Sequence, residues 1–173
     1  MYKYPIHNIR AVRDSDVTAL LAFMAHWGPE PNEMSPEDIL FQICHCRQHV
    51  SGELFVALDK QGQMIAYLQM TQVSLVGFLP AAEVAALLVH SDLRSRGIGT
   101  QLIEFAQKWC TQNGLNRLLV SSQLHRTEAH RFYKRCGFTL WKQSAVFEIT
   151  VPLSSGGLSQ QHEQVDNCKR QKE

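Results

Sequence analysis

Arg94-Ser95-Arg96-Gly97-Ile98-Gly99-Thr100 sets two arginines, two glycines and two hydroxyls between an apolar run and a helix-like segment. The amino terminus of a helix leaves backbone N–H groups unpaired and carries about half a positive charge, so glycines placed there let a phosphate approach the backbone. Arg94 and Arg96 add fixed charge. Spacing separates the phosphate-binding readings. A Walker loop requires GxxxxGK[ST], and no Gly-Lys pair occurs in the chain. A dinucleotide fingerprint requires a third glycine at position 102, where Leu102 stands. What remains is another kind of anion cradle, or a plain glycine helix start with two solvated arginines.

A second cluster, Cys44, His45, Cys46 and His49, resembles a metal set in composition only. On a helix Cys44 and Cys46 point about 200° apart, so their thiolates cannot meet at one ion, and only His45 and His49 share a face. The expectation is a half-buried helix with no metal site.

These residues sit in a chain of 173 residues, 45% hydrophobic and 19% charged, which suits one well-buried core. Seventeen basic and sixteen acidic residues leave a formal charge of +1, so no whole-molecule field points to nucleic acid or an anionic membrane. The start, MYKYPIHNIR, has no apolar signal region, and the apolar run from Val84 to Val89 is far too short to span a bilayer. A cytoplasmic protein is expected. Five cysteines without paired spacing suit reduced thiols better than a disulfide frame.

The elements that must position the loop follow from periodicity. Ile9 to Val12 reads as a strand; Asp14 or Ser15 can cap a helix whose apolar face carries Val17, Leu20, Leu21 and Met24. The loop HWGPEPNEM follows, then Ser35-Pro36 opens a second helix that buries Ile39, Leu40 and Ile43. ELFVALD and MIAYLQMTQVSLV pair as a hairpin about Gly62. Glu83 to Val89 reads as a strand buried on both faces. After the glycine loop, a helix places Leu102, Ile103, Ala106, Trp109 and Cys110 on one stripe and stops at Asn113-Gly114. A strand from Arg117 to Ser121 returns parallel to the previous one. A short helix then carries Ala129, Phe132, Tyr133 and Cys136, and FTLWKQ and AVFEITV supply two closing strands. The fold class is α+β, a mixed, largely antiparallel sheet flanked by helices, with its one parallel pair beside the glycine loop. The domain spans residues 1–151, and the polar, glycine- and serine-rich residues 152–173 are expected to form a disordered tail.

Arg94-x-x-Gly97-x-Gly99 after EVAALLV, with RTEAHRFYKRCGF some thirty residues later, resembles the GNAT superfamily of acetyl-CoA-dependent N-acetyltransferases. The resemblance runs over nearly the whole domain. It implies that the parallel strands splay to bind acetyl-CoA, that the backbone of Leu87, Leu88 and Val89 pairs with the pantetheine arm, and that the N–H groups of Arg94, Ser95, Arg96, Gly97, Ile98, Gly99 and Thr100 cradle the CoA diphosphate. Further along, Arg126, Ala129 and Phe132 fall at cofactor-side positions. Arg126 departs from the asparagine that many members carry there. Tyr133 falls at the usual tyrosine, placed to protonate the departing thiolate; its plain alternative is a packing aromatic. R-x-E-A-H-R-F-Y is similar to a subgroup that acetylates small amines, including aminoalkylphosphonates.

The chemistry so implied requires a base, because an alkylamine is neutral only about one part in two thousand at pH 7 and only the neutral form attacks a thioester. Glu83 stands where histone-type relatives carry a catalytic glutamate; its alternative is a solvated strand-end carboxylate. His90, His125 and His130 are the other candidates. Trp27, Glu30 and Glu33 in the loop between the first two helices are candidates for receiving a cationic acceptor. Three functions stay open on the sequence. The favoured one is transfer from acetyl-CoA to a small-molecule primary amine by direct attack; the others are a protein-lysine acetyltransferase and a non-catalytic acyl-CoA-binding module. No nucleic acid or membrane partner is expected, and a homodimer is left open.

Overall fold

The structure is a computed structural model, and it describes residues 4–24, 35–48, 52–149 and 151. The chain divides into two compact units at Ser121/Ser122.

The first unit is built on a five-stranded sheet of order β1-β2-β3-β4-β5, with β1 Asn8–Ala11, β2 Gly52–Leu58, β3 Met64–Val73, β4 Ala81–Val89 and β5 Leu118–Val120. The first four strands pair antiparallel, and β4 pairs parallel with β5. Gly62, at φ +78°, closes the β2–β3 turn, where the Asp59 carboxylate accepts the N–H groups of Gln61 and Gln63. Every residue from Leu54 to Ala57 is buried, because both faces of β2 are covered.

On one face, α1 (Val17–Met24) and α2 (Pro36–Gln48) join Val17, Leu20, Ile39 and Ile43 to Leu54, Val56, Tyr67, Ala86 and Leu88. On the other, Phe55 meets Phe105 of α3 (Ile98–Gln112) edge-on at 4.8 Å. α3 buries Ile98, Leu102, Ile103, Ala106, Trp109 and Cys110, the stripe its spacing predicts. Each large apolar side chain so buried contributes about 1.5–3 kcal/mol of transfer free energy. α1 starts from a 3-10 turn, Asp14–Asp16, in which the Asp16 carboxylate accepts two hydrogen bonds from the Arg10 guanidinium (2.6 and 2.8 Å) and one from the Arg13 N–H (2.7 Å). That carboxyl is held below the usual range, chiefly by the Arg10 hydrogen bonds.

In the second unit the described helix is α4, Thr127–Arg135, ended by Gly137 at φ +91°. Of the two closing strands expected from FTLWKQ and AVFEITV, none forms among the described residues: residues 138–149 make no ladder, and Val146, Phe147 and Ile149 stand exposed. β-rich composition reports fitness for a pleated, half-covered surface, and without a paired edge it does not make a strand. Residues 152–173 lie outside the described residues.

Candidate active site

β4 and β5 stay together for three pairs only, Ala82↔Leu118, Glu83↔Leu119 and Val84↔Val120. Immediately past the last pair, the β3–β4 register jumps: Met70 faces Val84 but Gln69 faces Ala86, so Ala85 is an extra residue in β4. A bulge of this kind bends the strand and increases its twist. Pairing with β5 stops where the bend begins. From Ala86 to Val89, β4 keeps β3 along one edge, and among the described residues its other edge has no ladder partner. Such an edge pairs readily with an extended ligand that carries amides. It contains Leu87, Leu88 and Val89, the residues assigned to the pantetheine arm. The Val89 carbonyl also accepts the Arg94 Nε–H at 3.3 Å, so Arg94 helps fold the loop as well as adding charge.

Beyond β4 the chain makes a 3-10 turn over Ser91–Leu93, where the His90 Nδ1 accepts the Asp92 N–H at 3.4 Å. This engages His90 in shaping the loop. Ser95, at φ +59°, and Gly97, at φ +87°, are both left-handed, and Gly97 is the N-cap of α3 with no side chain closing it. Uncapped, the N–H groups of Ile98, Gly99 and Thr100 add to the positive end of a 15-residue helix. Arg94, Ser95 and Arg96 are exposed around it. Residues 94–100 thus bring together two exposed arginines, a left-handed turn and an uncapped helix start, an arrangement able to hold an anion.

Glu83 is the third residue of β4, half-buried, within the paired part just before the bulge. Its Oε1 accepts a hydrogen bond from the Ser121 Oγ at 2.8 Å, one residue past the end of β5. Sequence reasoning missed Ser121 and Ala85. Serine is common at strand ends, and neither the parallel register nor the bulge leaves a mark in composition.

In the second unit Ala129, Phe132, Tyr133 and Cys136 are half-buried, one face of α4 and its cap, while Arg126 is an exposed N-cap. Tyr133 packs between Phe132 (5.2 Å) and Phe138 (5.8 Å, edge-on). Burial pushes its phenol above the ordinary tyrosine value, partly offset by the Arg126 charge. Tyr133 thus keeps its proton throughout the neutral range. His130 is half-buried and His125 exposed on the same unit.

The remaining candidates lie on α2 or outside the described residues. Cys44 is buried in α2, Cys46 is half-buried, and His45 stacks on Phe41 at 5.9 Å. Among the described residues no group of histidines, cysteines or acids is arranged to hold a metal. His49 and the acceptor-loop residues Trp27, Glu30 and Glu33 lie outside the described residues. A cavity of about 260 Å³ lined by Cys46, Glu53, Gln72, Trp109 and Asn113 opens at the end of β3 remote from the loop and contains none of the site residues. Among the described residues no helix is long and apolar enough to cross a membrane.

Comparison with known proteins agrees with the fold. Residues 18–138 match the family model described as Acetyltransferase (GNAT) family. An N-acetyltransferase of Bacillus subtilis, YhdJ, is 40% identical over 58 residues, 33% of this chain and 41% of that protein. The aminoalkylphosphonate N-acetyltransferase of Salmonella typhimurium is 37% identical over 71 residues, 41% of this chain and 44% of that protein. The chain thus spans less than half the length of these relatives. Among solved structures, AAC(6')-Iy in complex with the bisubstrate analog CoA-S-monomethyl-acetylneamine superposes with a TM-score of 0.69 at 17% identity, covering 83% of this chain and 98% of that one.

Proposed function

Because the chain belongs to the Acetyltransferase (GNAT) family, its model covering residues 18–138, we propose that it transfers the acetyl group of acetyl-CoA directly to the primary amine of a small molecule. The observation that carries this reading is the end of β4–β5 pairing at Val84/Val120, with the Glu83–Ser121 hydrogen bond beside it and the loop of residues 94–100 at the far end of the unpaired β4 edge. The cradle at 94–100 takes the CoA diphosphate, and the amides of Leu87, Leu88 and Val89 take the pantetheine arm. The thioester then reaches back along β4 toward Glu83.

In the step itself the neutral amine nitrogen attacks the thioester carbon, the C–S bond breaks, and the proton lost by nitrogen passes to the Glu83 carboxylate, directly or through one water. Ser121 holds one carboxylate oxygen, which fixes the direction of the other. The sulfur leaves as a thiolate with a pKa of about 8.5 for its thiol, and the Tyr133 hydroxyl is assigned to meet it. Since its phenol lies above the ordinary value, Tyr133 stabilises the thiolate by donating a hydrogen bond more than by full proton transfer.

A small acceptor is favoured by the 71-residue match to the aminoalkylphosphonate enzyme and by the R-x-E-A-H-R-F-Y helix. The test is a screen for CoA release with aminoalkylphosphonates, polyamines, aminoglycosides and a lysine peptide. Turnover of one small amine is expected. Turnover of the peptide alone would reassign the acceptor, and CoA binding without turnover of any amine would leave a binding module.

A further inference from the structure

We propose that Gln101 is a positioning residue that holds the acetyl-CoA loop in shape through the first residues of the chain, acting on cofactor affinity without touching the cofactor. The inference rests on the reading of residues 94–100 as the CoA diphosphate cradle. Gln101 lies in the first turn of α3. Its Oε1 accepts the Ile6 N–H at 2.9 Å, and its Nε2 donates to the carbonyls of Tyr4 (2.9 Å) and Gly97 (3.3 Å). One side-chain amide therefore uses its oxygen and both N–H groups. Turning the amide over would set N–H against N–H at Ile6 and oxygen against two carbonyls, so its orientation is fixed by the network.

The two ends of this tie are held independently. Directly after Ile6, the His7 N–H donates to the Leu58 carbonyl at 3.0 Å, and β1 follows in the sheet. At the other end, the Gly97 carbonyl accepts both the backbone N–H (3.2 Å) and the Nε2 of Gln101. The peptide unit is planar and trans, so the Gly97 carbonyl and the Ile98 N–H lie in one plane and point in opposite directions. Holding that carbonyl against Gln101 aims the Ile98 N–H outward, into the cradle. Gly97 is left-handed, at φ +87°, a conformation glycine reaches without the steric cost of a Cβ. The Tyr4–Ile6 segment is thus a brace for the cofactor loop, and it acts from 95 residues away in sequence.

The test is calorimetric binding of CoA to the full-length protein, with Gln101→Met, which keeps length and removes all three bonds, and Ile6→Pro, which removes the N–H donor together with the half-buried Ile6 side chain and fixes φ there. Gln101→Met is expected to weaken CoA binding by about three- to tenfold, the effect of losing a modest hydrogen-bond network that preorganises a site. The loss should appear in KM for acetyl-CoA and not in kcat or in KM for the amine. Ile6→Pro should weaken binding in the same direction, and the double variant should bind about as the Gln101→Met single variant does. Wild-type affinity in Gln101→Met overturns the proposal, as do fully additive effects, which would mean that Gln101 contacts CoA itself. A wild-type protein that does not bind CoA would overturn the reading of the loop, and the brace with it. Should Gln101→Met fail to fold, Ile6→Pro decides alone: unchanged affinity overturns the brace, and weakened affinity supports it.

Discussion

Glu83 and Tyr133 are assigned opposite ends of one reaction, and pH separates their effects. If Glu83 takes the proton of the amine, Glu83→Gln should slow turnover by about a hundredfold at pH 7 and recover part of it as pH rises, because more acceptor is then already neutral. A loss that stays constant with pH in rate assays would remove Glu83 from the proton's path. Tyr133→Phe keeps the ring between Phe132 and Phe138 and removes one hydroxyl, so CoA affinity should hold while turnover falls about ten- to a thousandfold. Burial raises the Tyr133 phenol, so wild-type activity should show no loss from its ionisation across the neutral range. Wild-type turnover by Tyr133→Phe with chemistry rate-limiting would return the residue to packing. The strand that carries Glu83 and the helix that carries Tyr133 were legible in the sequence, while the roles proposed for them came from resemblance. Ser121 was not legible, since its bond to Glu83 depends on which residues the parallel register brings level.

Elements were legible where a side-chain period or a required backbone conformation marks them. The stripe of α3 and the glycine loop are such cases, and Gly97 supplies a prediction at this scale. At φ +87°, Gly97→Ala strains the N-cap by about 1–2 kcal/mol, so melting temperature should drop by a few degrees and CoA binding should weaken. A binding isotherm unchanged by the substitution would show that the loop's shape does not matter to the cofactor. The bulge at Ala85 follows from register, which no single-strand pattern encodes. Residues 138–149 show the converse: alternation and β-branched residues are present, but no ladder forms. The entry to α1 depends on the Arg10–Asp16 pair, whose carboxyl titrates lower in the fold than in the unfolded chain. Its contribution is therefore present above the unfolded value of about 3.9 and is lost as pH falls through the folded pKa. Asp16→Asn should cost about 1–3 kcal/mol at pH 7, and the gap in melting temperature between wild type and variant should narrow below about pH 4. A gap independent of pH would show that charge is not what the pair contributes.

For the whole molecule, a formal charge of +1 leaves the proposed cofactor recognition to local features, the arginines and N–H groups of one loop and the open edge of one strand. The first unit contains the cradle, the diverging strands and Glu83, and the second contains Tyr133 on α4. Direct transfer requires both substrates bound before any bond breaks, with no acetyl group resting on the protein. The measurement that tests this most directly is the initial rate with acetyl-CoA and the best small amine varied together, with the product identified by mass. Intersecting double-reciprocal lines, with one N-acetylated amine formed per CoA released, are predicted. Parallel lines, or an acetylated enzyme formed in the absence of amine, would contradict direct transfer between substrates held at the divergence of β4 and β5.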